Sequence, residues 1–300
     1  MSSIPFLTKG DQVAILSPAS PPKSSVWLDG VEQLKNWGLE VVLAPNHLAT
    51  HYGLAGTDAE RLADLQWALN DPSIKAIFPI RGGYGSSRIV DQIDFTAFLK
   101  HPKWIIGFSD ITTLLMHVNA LRFPSIHGPM PHNFLQQGGE LALTHLHDLL
   151  FNGELKLSAT PHSLNKHGFA QAEITGGNLS LVVHLIGTNS LPDLKGKILF
   201  LEDIGERLYH VDRMLVQLKR AGLLAQLSGL LVGGFTDCEE SSLEIGKNVQ
   251  ELILEHTTDY QYPIAFDFPS GHIPNNQPII FGATSNLLIN SKEVQLTYHP

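Results

Sequence analysis

The sequence predicts an α/β protein with an N-terminal parallel-sheet domain, over residues 1–155, followed by a smaller mixed α/β domain over residues 170–300. Three observations point there. Short apolar runs alternate with apolar residues at helical spacing through the first half, and that order builds a mainly parallel sheet covered by helices. The second half mixes strand runs and helical patterns and ends in a hairpin signature. The chain has 300 residues, against roughly 100–200 for a typical domain.

Val13-Ala14-Ile15-Leu16 is a short apolar run that stops at Ser17-Pro18-Ala19-Ser20, a buried strand followed by a loop. Val31, Leu34 and Trp37 keep helical spacing up to Gly38, a residue suited to a helix C-terminus. Val41-Val42-Leu43 is the next strand. Thr57-Asp58-Ala59-Glu60 has the spacing of a capping box, and Leu62, Leu65 and Leu69 then form one apolar face. Ile74 to Ile80 and Trp104-Ile105-Ile106 are the third and fourth strands, and a helical run covers Ile111 to Leu121. A further helix around Leu149-Leu150-Phe151 ends at Asn152-Gly153. The stretch from Gly153 to Lys166 is mostly polar, contains Pro161 and serves as the expected domain boundary. Beyond it, Ile198 to Leu201, Leu230 to Val232 and Ile264 to Phe266 read as strands, separated by helical patterns at Val211–Leu223 and Leu243–His256. Leu287-Leu288-Ile289 and Val294-Gln295-Leu296 flank Asn290-Ser291-Lys292 as a hairpin.

Composition narrows the function. Asp and Glu number 29 against 20 Lys and Arg, so the net charge is −9. That balance argues against a general nucleic-acid binder, which needs clustered basic residues to displace counterions. No apolar run approaches the ~20 residues that span a bilayer, and the N-terminus lacks a secretory pattern. One cysteine, Cys238, cannot form an internal disulfide. The expectation is a soluble, reduced, cytoplasmic protein.

Four segments carry candidate chemistry. Gly107-Phe108-Ser109-Asp110 follows a strand and precedes a helix; a serine on such a turn is either a helix cap or a nucleophile exposed at the sheet edge. Arg81-Gly82-Gly83-Tyr84-Gly85-Ser86-Ser87 follows the third strand and is either a tight turn or a loop whose amides approach an anion. It lacks the Gly-Lys-Ser/Thr ending of a phosphate loop and the Gly-x-Gly-x-x-Gly of a dinucleotide fingerprint. Leu201-Glu202-Asp203 ends an apolar strand with two acids, which either cap and solvate it or orient a histidine. Ser270-Gly271-His272-Ile273-Pro274 places a histidine in a loop after a strand, exposed or catalytic. The 15 histidines are scattered; His145-Leu146-His147-Asp148 is the nearest approach to a metal pattern, and no metal or other cofactor is expected. Cys238 lies between Asp237 and Glu239, whose charges would raise a thiol pKa, so it is a poor nucleophile.

Taken in order, these segments resemble the LD-carboxypeptidase family of serine peptidases, which includes the microcin C immunity peptidases. The resemblance runs through Ser17-Pro18-Ala19-Ser20, Arg81-Gly82-Gly83-Tyr84-Gly85, Gly107-Phe108-Ser109-Asp110, Gly176-Gly177-Asn178-Leu179, Leu201-Glu202-Asp203-Ile204-Gly205-Glu206 and Gly271-His272. It implies a triad of Ser109, Glu202 and His272, an active site between two domains, a muropeptide substrate cleaved before a terminal D-alanine, and a homodimer. The chemistry of these residue types agrees: His272 would take the Ser109 proton and Glu202 would hold its tautomer. Gly83 and Asp110 offer backbone amides for an oxyanion hole. Arg81, Tyr84 and Arg207, with Arg213, are the candidates for holding the substrate and its carboxylate. Two other readings fit the same segments: a microcin-immunity-type peptidase acting on a peptidyl or aminoacyl nucleotide, and a non-catalytic two-domain protein that binds an anion or peptide.

Overall fold

The computed structural model describes residues 4–298. In chain order the elements are β1 (Gln12–Leu16), α1 (Trp27–Asn36), β2 (Glu40–Leu43), α2 (Asp58–Asn70), β3 (Ile74–Pro79), α3 (Thr96–Lys100), β4 (Trp104–Gly107), α4 (Thr112–Ala120), β5 (Ser125–His127), α5 (Glu140–Asn152) and β6 (Leu155–Ala159). There follow β7 (Gly168–Asn178), α6 (Leu179–His184), β8 (Ile198–Ile204), α7 (Leu208–Arg220), β9 (Gly229–Thr236), α8 (Val249–Thr257), β10 (Ile264–Ala265), β11 (Ile279–Phe281), β12 (Thr284–Ile289) and β13 (Val294–Tyr298).

They form two mixed sheets. The first has the order β11-β5-β4-β3-β1-β2, parallel throughout except for β11. Strand order reverses between β1 and β3, so the loops after those strands diverge and leave a crevice at their carboxyl ends, where ligands bind in open α/β sheets. Both loops bound this crevice: Ser20 N–H donates to Gly82 O at 3.3 Å and Tyr84 N–H to Ser20 Oγ at 3.3 Å. The second sheet has the order β10-β9-β8-β7-β12-β13-β6, with β7 to β10 parallel and the rest antiparallel. Its core includes Leu199, Leu201, Val211, Leu215, Leu230 and Val232.

The local signals act as chemistry requires. Thr57 Oγ1 accepts from Glu60 N–H and Glu60 Oε2 accepts from Thr57 N–H, so the capping box starts α2. Helix α5 stops at Gly153 in the left-handed region. Two segments differ from expectation. The polar stretch after Gly153 contains β6, an edge strand whose alternation, Leu155 and Leu157 in and Lys156 and Ser158 out, is too short to stand out in the sequence. The last helix starts at Val249, not near Leu243, because Asn248 and Glu251 form a second capping box there.

One strand crosses between the halves. β11 lies far along the chain, yet it pairs antiparallel with β5, Ile280 opposite Ile126. Residues 266–278 therefore run from the second sheet to the first, and His272 rides on that crossing.

Candidate active site

Ser109 sits where β4 turns into the helical segment leading to α4. Its φ is 62°, the left-handed region that a side chain rarely occupies. Such strain persists only where the surroundings enforce it, and it lifts the side chain off the sheet edge. The enforcing contacts come from the glycine loop. Ser86 N–H donates to Asp110 Oδ2 at 2.8 Å, and Ser86 Oγ–H donates to Asp110 O at 2.6 Å. The Asp110 carboxyl is buried, which raises its pKa, while the hydrogen bonds from Ser86 pull the other way. Gly82 lies directly against the serine: a Cβ there would stand 2.8 Å from Ser109 Cβ and 3.0 Å from its Oγ, so only glycine allows the approach. Among the described residues the amides of Gly83 and Asp110 donate to no partner, which leaves both free for an oxygen bound beside Ser109.

The loop is anchored from below by Arg61, a fully buried arginine of α2. Its Nη1 donates to Pro18 O and to Gly85 O, both at 2.8 Å, and its Nη2 pairs with Asp58. Arg61 thus ties the loops after β1 and β3 together. The sequence gives no sign of this, since an arginine in the first turns of an amphipathic helix ordinarily faces water.

Glu202 and His272 meet across the second half of the chain. Glu202 is 0% exposed, and its Oε2 accepts from His272 Nδ1 at 2.6 Å and from the His272 backbone N–H at 3.1 Å. The Glu202 oxygen is the acceptor in both bonds, so Nδ1 carries a proton and, in the neutral ring, Nε2 keeps its lone pair. Gly271, at φ 113°, makes the approach feasible: a Cβ there would lie 2.8 Å from Glu202 Cβ and 2.9 Å from Oε2. Burial pulls the His272 pKa down, but the charge and hydrogen bond of Glu202, with Asp203 behind it, outweigh burial and raise it above the ordinary value.

The neighbouring acid is occupied elsewhere. Asp203 accepts from Asn178 Nδ2 at 2.6 Å, from Ser180 N–H at 3.0 Å and from Ile204 N–H at 2.9 Å. Burial, then the Glu202 charge, pushes its pKa up to about 6. Asn178 N–H in turn donates to Thr112 Oγ1 at 3.1 Å, joining the end of β7 to the helix that follows Ser109. Phe108, beside the serine, packs edge-on against the His272 ring at 4.9 Å between centroids. Ser109 and the Glu202–His272 pair thus flank one junction between the sheets. No Ser109–His272 hydrogen bond is formed in this geometry; such bonds are commonly long before substrate tightens the site.

The remaining candidates divide. Arg81 is half-buried, with Nη1 3.3 Å from Pro21 O. It gathers with Lys23 and His132, whose pKa is lowered by burial and then by the charges of Arg81 and Lys23. Lys23 and His132 were not singled out from sequence, because their loops lie far apart along the chain. Tyr84 is 58% exposed on the glycine loop. Arg207 stands at the start of α7, half exposed, with Nη1 3.8 Å from Glu239 Oε2, and Arg213 lies over the Tyr209 ring at 5.2 Å. Neither makes a hydrogen bond to Ser109, Glu202 or His272. Cys238 is pushed up to about 11, by burial first and then by nearby acids that include Asp203 and Glu206. His145 Nδ1 contacts Gln277 Oε1 at 2.5 Å and His147 stacks on Phe151; among the described residues no group of three or more His, Cys, Asp or Glu is placed to hold a metal.

Comparison with known proteins bears on the whole chain. Residues 13–128 match the LD-carboxypeptidase N-terminal domain and residues 171–287 the LD-carboxypeptidase C-terminal domain. A probable murein peptide carboxypeptidase of Bacillus subtilis is 36% identical over 290 residues, covering 92% of this chain and 88% of its own. A murein tetrapeptide carboxypeptidase of Pseudomonas aeruginosa is 31% identical over 287 residues, covering 92% of each. The crystal structure of muramoyltetrapeptide carboxypeptidase from Oxalobacter formigenes superposes with a TM-score of 0.85 at 27% identity, over 95% of this chain and 98% of that one. With both halves matched in order by that family's two domains, this chain belongs to the LD-carboxypeptidase family of peptidases.

Proposed function

We propose that this protein is a serine LD-carboxypeptidase that hydrolyses the bond between an L-configured centre and the terminal D-alanine of a murein tetrapeptide, in cell-wall recycling. The observation that carries the reading is the buried Glu202–His272 pair at 2.6 Å, set beside a serine held at a strained strand-to-helix turn.

In this reading Ser109 Oγ attacks the carbonyl carbon while His272 Nε2 takes its proton. Glu202 stabilises the imidazolium, and the amides of Gly83 and Asp110 receive the oxyanion. His272 then gives the proton to the departing D-alanine amine, and a water repeats the sequence to free the tripeptide. Arg81, with Lys23, supplies the positive charge that a terminal carboxylate needs in a chain of net negative charge, and the neighbouring His132 ring is kept neutral beside them. Tyr84, exposed on the glycine loop that approaches Ser109, is the side chain available to meet the substrate there, whereas Arg207 is paired with Glu239. No helix among the described residues is long and apolar enough to cross a membrane. A cytoplasmic location fits a chain with a single cysteine, and the working form is a homodimer, to be tested by light scattering.

Incubation with a murein tetrapeptide, followed by mass spectrometry, should yield tripeptide and D-alanine, and Ser109→Ala should yield neither. Turnover that persists in Ser109→Ala would overturn the serine mechanism. Hydrolysis of an aminoacyl sulfamoyl adenosine in place of the tetrapeptide would move the chain to the microcin-immunity reading. Binding without hydrolysis of either would leave an anion-binding protein.

A further inference from the structure

A second imidazole lies behind the Glu202–His272 pair, and the triad chemistry does not use it. His127 ends β5, is fully buried, and neither ring nitrogen has a hydrogen-bond partner. Its ring packs against Phe200 at 4.9 Å, Phe281 at 5.7 Å and Phe108 at 6.0 Å between centroids. Phe108 also meets His272, so one side chain touches both imidazoles.

Two more buried polar atoms close by are unpartnered. One is Glu202 Oε1, the carboxylate oxygen that does not face His272; the other is Asn276 Nδ2. Asn276 lies against the His127 ring without completing a hydrogen bond to it. Its Oδ1 is engaged, accepting from Gly271 N–H at 2.7 Å, on the loop that carries His272. The unmet needs are complementary. Asn276 Nδ2 lacks an acceptor, Glu202 Oε1 lacks a donor, and a neutral imidazole offers one of each. Burial keeps His127 neutral by pushing its pKa down to about 4, against the pull of the Glu202 carboxylate. A phenylalanine or leucine would fill this aromatic pocket without burying two unpaired ring nitrogens, so an imidazole here calls for a role.

Resting on the triad reading above, we propose that neutral His127 is a positioning residue, which accepts from Asn276 and donates to Glu202 Oε1 so that Oε2 stays fixed on His272. The bonds are not closed in the geometry described; rotation of the His127 ring and the Asn276 amide closes them in the free enzyme, the form that kcat/KM and a titration of His272 read. His127 touches no substrate; it acts through Glu202, and Asn276 couples the same network to the His272 loop.

The test compares wild type with His127→Leu, which removes both hydrogen bonds, and His127→Gln, which can restore a donor and an acceptor. With tetrapeptide substrate, His127→Leu should lose about 10–100-fold in kcat, the scale of a misplaced catalytic group, with KM unchanged. The charged groups that set the His272 titration are Glu202 and Asp203, with His127 packed behind them as a neutral ring. With Glu202 free to swing away, the acid limb of kcat/KM should move to lower pH in His127→Leu and return toward wild type in His127→Gln. NMR titration of His272 in a Ser109→Ala background should show the same displacement without any turnover. A folded His127→Leu protein with wild-type kcat and acid limb overturns the proposal. So do leucine and glutamine variants that are equally impaired, since shape alone then matters. If His127→Leu does not fold, His127→Asn takes its place, its amide being too short to span both partners, and an unchanged acid limb overturns the proposal there. Absence of wild-type turnover would sink the peptidase reading, while the NMR titration would still decide whether His127 acts on His272.

Discussion

Glu202 Oε2 accepts two hydrogen bonds from the same residue, one from the His272 ring at 2.6 Å and one from the His272 backbone at 3.1 Å. A single carboxylate oxygen therefore fixes both the imidazole and the loop beneath it. Orientation of the ring is built into the backbone path, and removing the carboxylate would release both.

Glu202→Gln keeps the shape and can still bond to Nδ1, but through an amide that offers a donor as well as an acceptor. The wrong tautomer becomes accessible and the imidazolium loses its counter-charge. A fall of about 10⁴-fold in kcat is expected, with the fold retained; steady-state kinetics beside circular dichroism would check it.

Ser109→Ala should abolish turnover, by about 10⁴–10⁶-fold in kcat, while substrate still binds by calorimetry. Backbone strain gives a second comparison. At a φ of 62°, Ser109→Gly should be more stable than Ser109→Ala by about 1 kcal/mol, because glycine adopts this region without cost. Equal melting temperatures would argue that the turn is not strained.

Gly271→Ala places a methyl 2.8 Å from Glu202 Cβ on a backbone at φ 113°. Either Glu202 or the loop must move. Loss of about 2–3 kcal/mol of stability, and of most activity, is expected from denaturant melts and hydrolysis assays.

The pH dependence has two opposed parts. In the proposed mechanism His272 must be neutral to accept the serine proton, and its pKa is raised above 6.5 by Glu202 against the effect of burial. The acid limb of kcat/KM should therefore lie above pH 6.5. Because the folded pKa exceeds the unfolded one, the Glu202–His272 pair contributes stability fully below pH 6.5 and loses it as pH rises through the raised value. His127 has the reverse sign: its pKa falls to about 4 on burial, so folding is progressively penalised as pH drops below 6.5. That penalty grows to about 3 kcal/mol by pH 4, and His127→Gln should abolish it, which urea melts at pH 7 and pH 4 would show.

Arg61→Ala should loosen the site from a distance. It removes the donor that holds Pro18 O and Gly85 O and leaves a cavity under the glycine loop. A loss of about 2–4 kcal/mol and a reduced kcat are expected, whereas Arg88→Ala, on the exposed side of Asp58, should cost little.

The alternation of apolar runs with helical spacing, the capping box at Thr57–Glu60 and the stop at Gly153 were legible because each is a local signal with a local cause. β6 was not, since two apolar residues cannot establish a period. Arg61, Lys23, His132 and His127 carry no local signal, because each takes its meaning from a partner many residues away. Sequence order could name Ser109, Glu202 and His272 through a family resemblance, but no spacing along the chain measures their separation.

Composition and periodicity alone determined an acidic α/β chain, with the serine, the acids and the histidine at strand ends, because strand and helix periods are written in neighbouring residues. Which of two adjacent acids faces the imidazole was decided only by packing. Successive strand residues point to opposite faces, and it is the crossing of residues 266–278 over to β11 that brings His272 to the Glu202 side and leaves Asp203 with Asn178 and Ser180.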